Sequence, residues 1–302
     1  MKYKKPPLTF RKQAELIISR GLIADSENLI QILESVSYYR LSGYWYPFLL
    51  SDNTFKPNTN LESIWRRYRF DRQLRVLIMD AIERVEIAIR SQLTNAFTLK
   101  YGAFGYLDKT NLPNLSVKRH NYFKDRIKEE EQRSKEQFVS HFFTKYGDKH
   151  NELPLWMIAE LMPFGMTLTF YRGIDDNLKK ELATIYGVSD RVLESWLKAL
   201  NVIRNICAHH GRLWNRELGY KPMIPRKNKH KKWHTPTTPQ NNRIFSIILI
   251  LKYILNITAS ESGWSLRLEG LLENYSDIPL IPMGFPDNWK ESPIWKNEEV
   301  SH

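Results

Sequence analysis

The sequence predicts an all-α fold: a helical bundle with an N-terminal extension and a basic loop ahead of the last helices. Three observations carry that prediction. Apolar residues recur at three- and four-residue steps along most of the 302 residues. Alternation with a period of two, the mark of half-buried strands, is scarce. Hydrophobic residues make up 42% of the chain, sufficient for a buried core and incompatible with global disorder.

The first helical unit runs over Thr9–Leu22 and a second follows Asp25, over Leu29–Val36. Next comes "YYRLSGYWYPF" (Tyr38–Phe48), where Gly43 and Pro47 are expected to break any helix. Its aromatics are read as a compact packing element, with base stacking as the other use open to Tyr and Trp rings. Leu61–Lys100 is the longest helical segment. Leu74, Leu77, Ile78, Ala81, Ile82, Val85, Ile89 and Leu93 form one apolar stripe on it. Glu86 falls inside that stripe, and Arg90 follows it at the i,i+4 spacing of a helical ion pair. A carboxylate on a buried face needs a partner, so the two either form a structural pair or help organise a polar site.

After a loop over Tyr101–Leu115, Val117–Phe143 reads as helix, with "KEEEQRSKEQ" (Lys128–Gln137) as its solvated side. Leu155–Phe170 is apolar nearly all round and is expected to be buried on most sides, with Pro163 and Gly165 kinking or ending it. Its one charge, Glu160, must be neutralised locally or aimed at a cation on a neighbouring helix. Asp176–Tyr186 and Asp190–Ala208 are two further helices, the second capped by Ser189. Gly219–Gln240, rich in Pro and Lys, reads as a long basic loop. Phe245–Ile257 and Leu266–Asn274 resume helix, and the Pro/aromatic tail Pro279–Trp295 is expected to pack on the body. The simplest partition is an extension over residues 1–57, a helical domain over 58–275 and a tail over 276–302.

A net charge of +12 favours an anionic partner, nucleic acid first and an acidic membrane surface second. The most apolar run, Ile244–Ile257, is interrupted by Lys252 and too short to span a bilayer. Met1–Lys5 is basic but leads into no apolar signal-peptide core. A lone cysteine, Cys207, forms no intramolecular disulfide and fits a reducing interior. These features predict a soluble, cytoplasmic protein.

The chemistry concentrates in "RNICAHHGRLWN", Arg204 to Asn215. On the helix Asp190–Ala208 the apolar face is Leu193, Trp196, Leu200, Ile203 and Cys207, with Arg204 near its edge. Asn205 and His209, four apart, share another side, where the amide can bond the imidazole and fix its tautomer. Arg204 and His209 point about 140° apart in a regular helix. Either the helix ends at Ala208–His209, with Gly211 as the C′ residue, or a second copy of the chain supplies the missing group. RNA cleavage by its own 2′-hydroxyl wants such a set. Histidine moves protons near neutral pH, and arginine offers paired donors to a phosphate whose charge grows in the transition state. That chemistry needs no metal and no cofactor.

Competing uses of the same residues remain. Cys207 beside His210 could be a nucleophile, but its apolar setting makes it a core residue. Cys207, His209, His210, His230 and His234 match no closed zinc spacing. Histidine and arginine at a helix C-terminus also simply complement the macrodipole.

The extended string resembles the signature of the abortive-infection (Abi-like) phage-defence family, within the HEPN superfamily and its R-x(4–6)-H motif. "YYRLSGYWYPF", "IERVEIAIRSQL" (Ile82–Leu93), "LPLWMIAELMPFG" (Leu153–Gly165) and "MGFPDNWKESPIW" (Met283–Trp295) resemble family segments in family order. The resemblance implies a HEPN-type bundle, a homodimer with a composite RNase site, and toxin-like activity held in check by a small structured RNA. It implies catalytic roles for Arg204 and His209, with Asn205 beside them and His210 as an alternative match, and support from Glu86 and Arg90; Glu160, from its place in an apolar helix, is a further supporting polar candidate. RNA would be met by Arg212, Arg216, Lys221, Arg226, Lys227, Lys229, Lys231, Lys232 and Trp233. From Arg204 to Trp233 nine Lys/Arg stand against Glu217 alone. A non-catalytic RNA-binding module and an interaction subunit of a defence complex are the other readings.

Overall fold

The computed structural model describes residues 6–296. The basic start, Met1–Lys5, lies outside the described residues. Thirteen α-helices make up the described chain, with no strand among these residues, only isolated bridges between Ile23 and Asn60 and between Leu49 and Phe55. The fold is all-α, as the periodicity predicts.

Helices α1 (Phe10–Ser19) and α2 (Ser26–Val36) pack on each other, each begun by a side-chain cap, Thr9 and Asp25. Gly43 does not break the aromatic stretch, because α3 (Tyr38–Trp45) runs through it. The break comes at Pro47, inside a short 3₁₀ turn over Tyr46–Phe48. Tyr44 and Trp45 face the core while Tyr39 and Tyr46 face solvent.

Helix α4 (Leu61–Tyr101) is the axis of the molecule, 41 residues and therefore about 60 Å long. Asn60 caps its start by accepting from the Ser63 N–H at 2.9 Å, and Gly102 ends it at φ +77°. The apolar stripe predicted on it is buried at Leu74, Ile78, Ala81, Ile82, Val85, Ile89 and Leu93. Against it lie α3, α7 (Leu155–Leu161), α8 (Phe164–Gly173), α9 (Asp176–Ile185), α10 (Asp190–Ala208), α11 (Ile244–Thr258) and α12 (Trp264–Asn274). Helix α11 is the second central element, buried along most of its length. No single helix among the described residues is long and apolar enough to cross a membrane. The tail ends in a short α13 (Pro293–Lys296), and Met283, Phe285, Trp289, Ile294 and Trp295 pack into the same continuous core that begins at Ala14.

Two expectations need correcting. Pro163 splits Leu155–Phe170 into α7 and α8, and α7, otherwise buried or partly buried, leaves one face open. Trp156 and Glu160, four residues apart and hence on one face, are exposed, so Glu160 needs no buried cation. The acidic run after Lys128 is not one solvated face either. Helix α5 (Val117–Arg133) stops at Ser134, and α6 (Gln137–Tyr146) begins three residues later. Glu131 follows Phe123 and Ile127 at helical spacing and is buried with them.

Burial, with Glu152 adding to it, pushes the Glu131 carboxyl up to about 7 from an ordinary 4.5. Between those values the unfolded chain releases the proton and the folded chain keeps it, so stability falls as pH rises through this window. Glu131→Gln, which mimics the neutral acid, is therefore expected to match wild type at pH 4 and to exceed it at pH 8, by on the order of 1 kcal/mol. Urea denaturation at the two pH values measures this. An advantage of equal size at both would remove the ionisation argument.

Candidate active site

The site is built at the end of α10. Ser189 caps that helix by accepting from the Val192 N–H, and its apolar face, Leu193, Trp196, Leu200, Ile203 and Cys207, is buried. The helix closes at Ala208 with His209 as the flanking residue. His210, not Gly211, then adopts the left-handed conformation, at φ +56°. Its N–H donates to the Cys207 carbonyl at 3.0 Å and the Gly211 N–H donates to the Ile206 carbonyl at 2.8 Å, the paired bonds of a Schellman close. Glycine is needed one position later for a different reason. A Cβ on Gly211 would sit 3.1 Å from Ile206 Cγ2 and 3.2 Å from its carbonyl oxygen. Holding an L-residue such as histidine left-handed costs roughly 1–2 kcal/mol, so the surrounding structure has to enforce it.

Three contacts with α3 and α4 do so. Arg40 Nη1 donates to the His210 carbonyl at 2.5 Å. Arg212 donates to the carbonyl of Gly43, in the middle of α3. Asp71, fully buried on α4, accepts from the backbone N–H groups of Leu213 at 3.0 Å and Trp214 at 2.6 Å. Its other oxygen accepts from the Tyr44 hydroxyl at 2.5 Å and from Arg75. Burial pushes the Asp71 carboxyl up, and Arg75, Tyr44 and the two backbone donors oppose that. Burial and the Asp71 charge raise the Tyr44 hydroxyl well above its ordinary range, so it stays protonated and donates.

Between α3, α4 and the exit of α10 opens a groove of about 940 Å³. Arg40, Tyr68, Arg72, Arg75, Arg204 and His210 line it, together with Asp80, Glu83 and Glu86. Arg204 and His210 thus share one cavity within a single chain. The left-handed turn accounts for this, since it takes His210 off the helical path that would have carried it away from Arg204. Glu86 is largely buried and accepts from Arg90 Nη2 at 2.5 Å, the same nitrogen donating to the Met162 carbonyl at 2.9 Å. Burial pushes the Glu86 carboxyl up, while the charges of Arg90 and then Arg204 pull it down. Cys207 closes the floor, where burial pushes its thiol up to about 12 and leaves it un-ionised at neutral pH.

Asn205 and His209 are exposed and do not line the groove, and no hydrogen bond joins the Asn205 amide to the His209 ring. Among the described residues no group of three or more His, Cys, Asp or Glu is arranged to hold a metal ion. The basic loop lies elsewhere. Ser195 accepts from the Met223 N–H at 2.9 Å and Trp196 Nε1 donates to the Met223 carbonyl at 2.8 Å, which ties the loop toward the start of α10. Trp233 is not a stacking platform for bases. It is fully buried and packs against Trp196 at 5.0 Å and Tyr253 at 5.1 Å between ring centroids. Lys232 lies over the Tyr253 ring, whereas Arg216, Lys221, Arg226, Lys227, Lys229 and Lys231 are exposed.

The groove residues absent from the sequence reading are Arg40, Tyr68, Arg72 and Arg75, with Asp71 beneath them. The signal was there in "WRRYRFDRQLR" (Trp65–Arg75), five arginines on the first turns of α4, ahead of the apolar stripe that defined the helix.

A family model described as Abi-like protein matches residues 31–215, a span that contains every residue lining the groove and stops before the basic loop. No curated protein and no solved structure matches the chain significantly.

Removing Asp71 would strip Arg75 of its counter-charge and leave the Leu213 and Trp214 N–H groups without their acceptor. Asp71→Ala is expected to cost about 3–5 kcal/mol in urea denaturation. Glu62→Ala, which breaks an exposed pair with Arg69, is expected to cost less than about 1 kcal/mol. Similar losses for the two would mean the Asp71 node is not a structural anchor.

Proposed function

The chain belongs to the Abi-like protein family, and from that premise we propose that it is a metal-independent endoribonuclease of an abortive-infection, anti-phage system. The observation that supports the reading best is that Arg204 and His210 line one arginine-rich groove. The substrate brings its own nucleophile. A 2′-hydroxyl attacks the adjacent phosphorus, its proton leaves to a base, the P–O5′ bond breaks, and the departing 5′-oxygen takes up a proton. The products are a 2′,3′-cyclic phosphate and a 5′-hydroxyl. His210 is the proton-transfer group, and Arg204 meets the growing phosphate charge with paired N–H donors. Arg72 holds a neighbouring phosphate at the groove rim. Glu86, compensated by Arg90, steadies Arg204 through charge.

In-line cleavage moves two protons, and each groove holds one imidazole. A homodimer in which a second copy contributes the other histidine answers that need and agrees with the HEPN-type R-x5-H spacing from Arg204 to His210. Regulation by a small structured RNA, carried on the exposed lysines of the basic loop, completes the proposal.

The test is incubation of purified protein with mixed RNA in EDTA after any co-purifying RNA is stripped away. Wild type is expected to leave cyclic-phosphate ends. Arg204→Ala and His210→Gly are each expected to lose 10²–10⁴-fold in rate, the range for one lost proton-transfer or charge-stabilising group. His209→Ala should cut nearly as well as wild type. His210→Gly should also unfold at higher temperature, since glycine releases about 1 kcal/mol or more of left-handed strain. Cleavage lost in His209→Ala but kept in His210→Gly would transfer the role to His209. RNA bound but never cut would leave a non-catalytic RNA-binding module.

A further inference from the structure

We propose that the groove continues across α4 into a nucleobase subsite between α4 and α12, which receives the nucleotide next to the phosphate held at Arg204. The inference rests on the reading of the groove as an RNA site and adds a part of the molecule that reading does not use. A recess of about 530 Å³ lies between the two helices, lined by Gln73, Leu77, Leu271 and Asn274 and sharing Arg72 and Val76 with the groove. Those two shared residues sit four apart on α4, about 6 Å along its axis, on the ridge that separates the two depressions. A strand leaving the groove over that ridge enters the recess directly.

The chemistry of the recess differs from that of the groove. Asp80, Glu83 and Glu86 line the groove, whereas no carboxylate lines the recess. Val76, 60% exposed, with Leu77 and Leu271 offers an apolar surface for the face of a base. Two side-chain amides offer hydrogen bonds to its edge. Gln73 donates through Nε2 to the Tyr275 hydroxyl at 2.8 Å, which leaves its carbonyl oxygen to accept. Asn274 is exposed at the rim. Arg267, also lining the recess, is paired with Asp80 at 2.6 Å, so its charge is largely compensated. Arg72, exposed on the ridge, is the cation placed to meet the phosphate between the two nucleotides. Apolar walls with a few polar groups, at a volume of several hundred cubic ångströms, are the usual make-up of a small-ligand subsite. An unpaired base has a face to stack and an edge to read, and a base inside a duplex offers neither here. The occupant is therefore a single-stranded RNA segment.

Gly270 gives a clean way to close the recess. It lies inside α12, and a Cβ there would meet nothing within 4 Å. Gly270→Trp starts its side chain in open space at the recess and leaves Arg204 and His210, which line the groove, unchanged. The probes are a fluorescein-labelled eight-nucleotide RNA of mixed sequence and a labelled dinucleotide, both 2′-O-methylated to block cleavage. Gly270→Trp is expected to weaken the eight-nucleotide RNA at least tenfold and to leave the dinucleotide within twofold of wild type. Asn274→Ala, a surface change that spares the fold, is expected to weaken the longer RNA about threefold, by an amount that depends on the flanking base. Wild-type affinity of both variants for both probes overturns the subsite. So does a change in oligomeric state on gel filtration with RNA affinity unaltered, which would make the recess a protein contact. Wild type that binds neither probe overturns the RNA reading of the groove itself, a different failure.

Discussion

The Asp71 carboxylate, with no exposed surface, gathers donors from three segments distant in sequence: the Tyr44 hydroxyl on α3, Arg75 one turn along α4, and the Leu213 and Trp214 amides after α10. Burying a carboxylate is costly, and a buried pair with arginine rarely repays the cost in stability alone. What the arrangement supplies is register. Four donors converging on two oxygens admit one relative placement of the three segments, and an apolar residue of the same size would allow several. Arg40 and Arg212 then tie the same exit to α3, each through a backbone carbonyl. The chain after α10 is therefore fastened at His210, Arg212, Leu213 and Trp214, and His210 is the first of these points.

The left-handed histidine follows from that constraint. At most helix ends a glycine takes this position because it does so without steric cost. Here glycine is displaced by one residue and histidine takes the strained place, at the edge of the groove. Strain at one residue persists only where neighbours over-determine it, and the three fastenings around it are of that kind. The Asp71 node a few residues on supplies the register that keeps His210 in this place. In the proposed reading, an imidazole fixed by its backbone rather than by a hydrogen-bonded partner stays available to take and return a proton.

Much of this was legible in the sequence, and the remainder was not for definable reasons. The stripe from Leu74 to Leu93 fixed α4 to within one residue at its end, because period and propensity agree along it. The Glu86–Arg90 pair was readable from i,i+4 spacing alone. The pairing of Arg204 with His210 was not. Regular helical geometry separates Arg204 from either histidine, and only the left-handed φ at His210 alters that direction. Asp71 pairs with Arg75 at the same i,i+4 spacing, but its role as a node was hidden because its other partners lie 27 residues before it and more than 140 after it. Trp233 failed for the opposite reason. Local composition marked its loop as basic and solvated, while its ring is held by Trp196 and Tyr253 from two distant helices.

The placement of charge separates two tasks that the sequence had merged. The basic loop is tied near Trp196, eight residues and so about 12 Å along α10 from Arg204. In the proposed reading a phosphate bound in the groove depends on the guanidiniums that line it, Arg40, Arg72, Arg75 and Arg204. Of these, Arg75 is committed to Asp71 and Arg40 to the His210 carbonyl. Arg204 and Arg72 are left as the guanidiniums free of such a commitment, both lining the groove with His210. In the proposed reading the loop raises the local concentration of RNA in a salt-dependent way, and these two arginines fix which phosphate lies against His210.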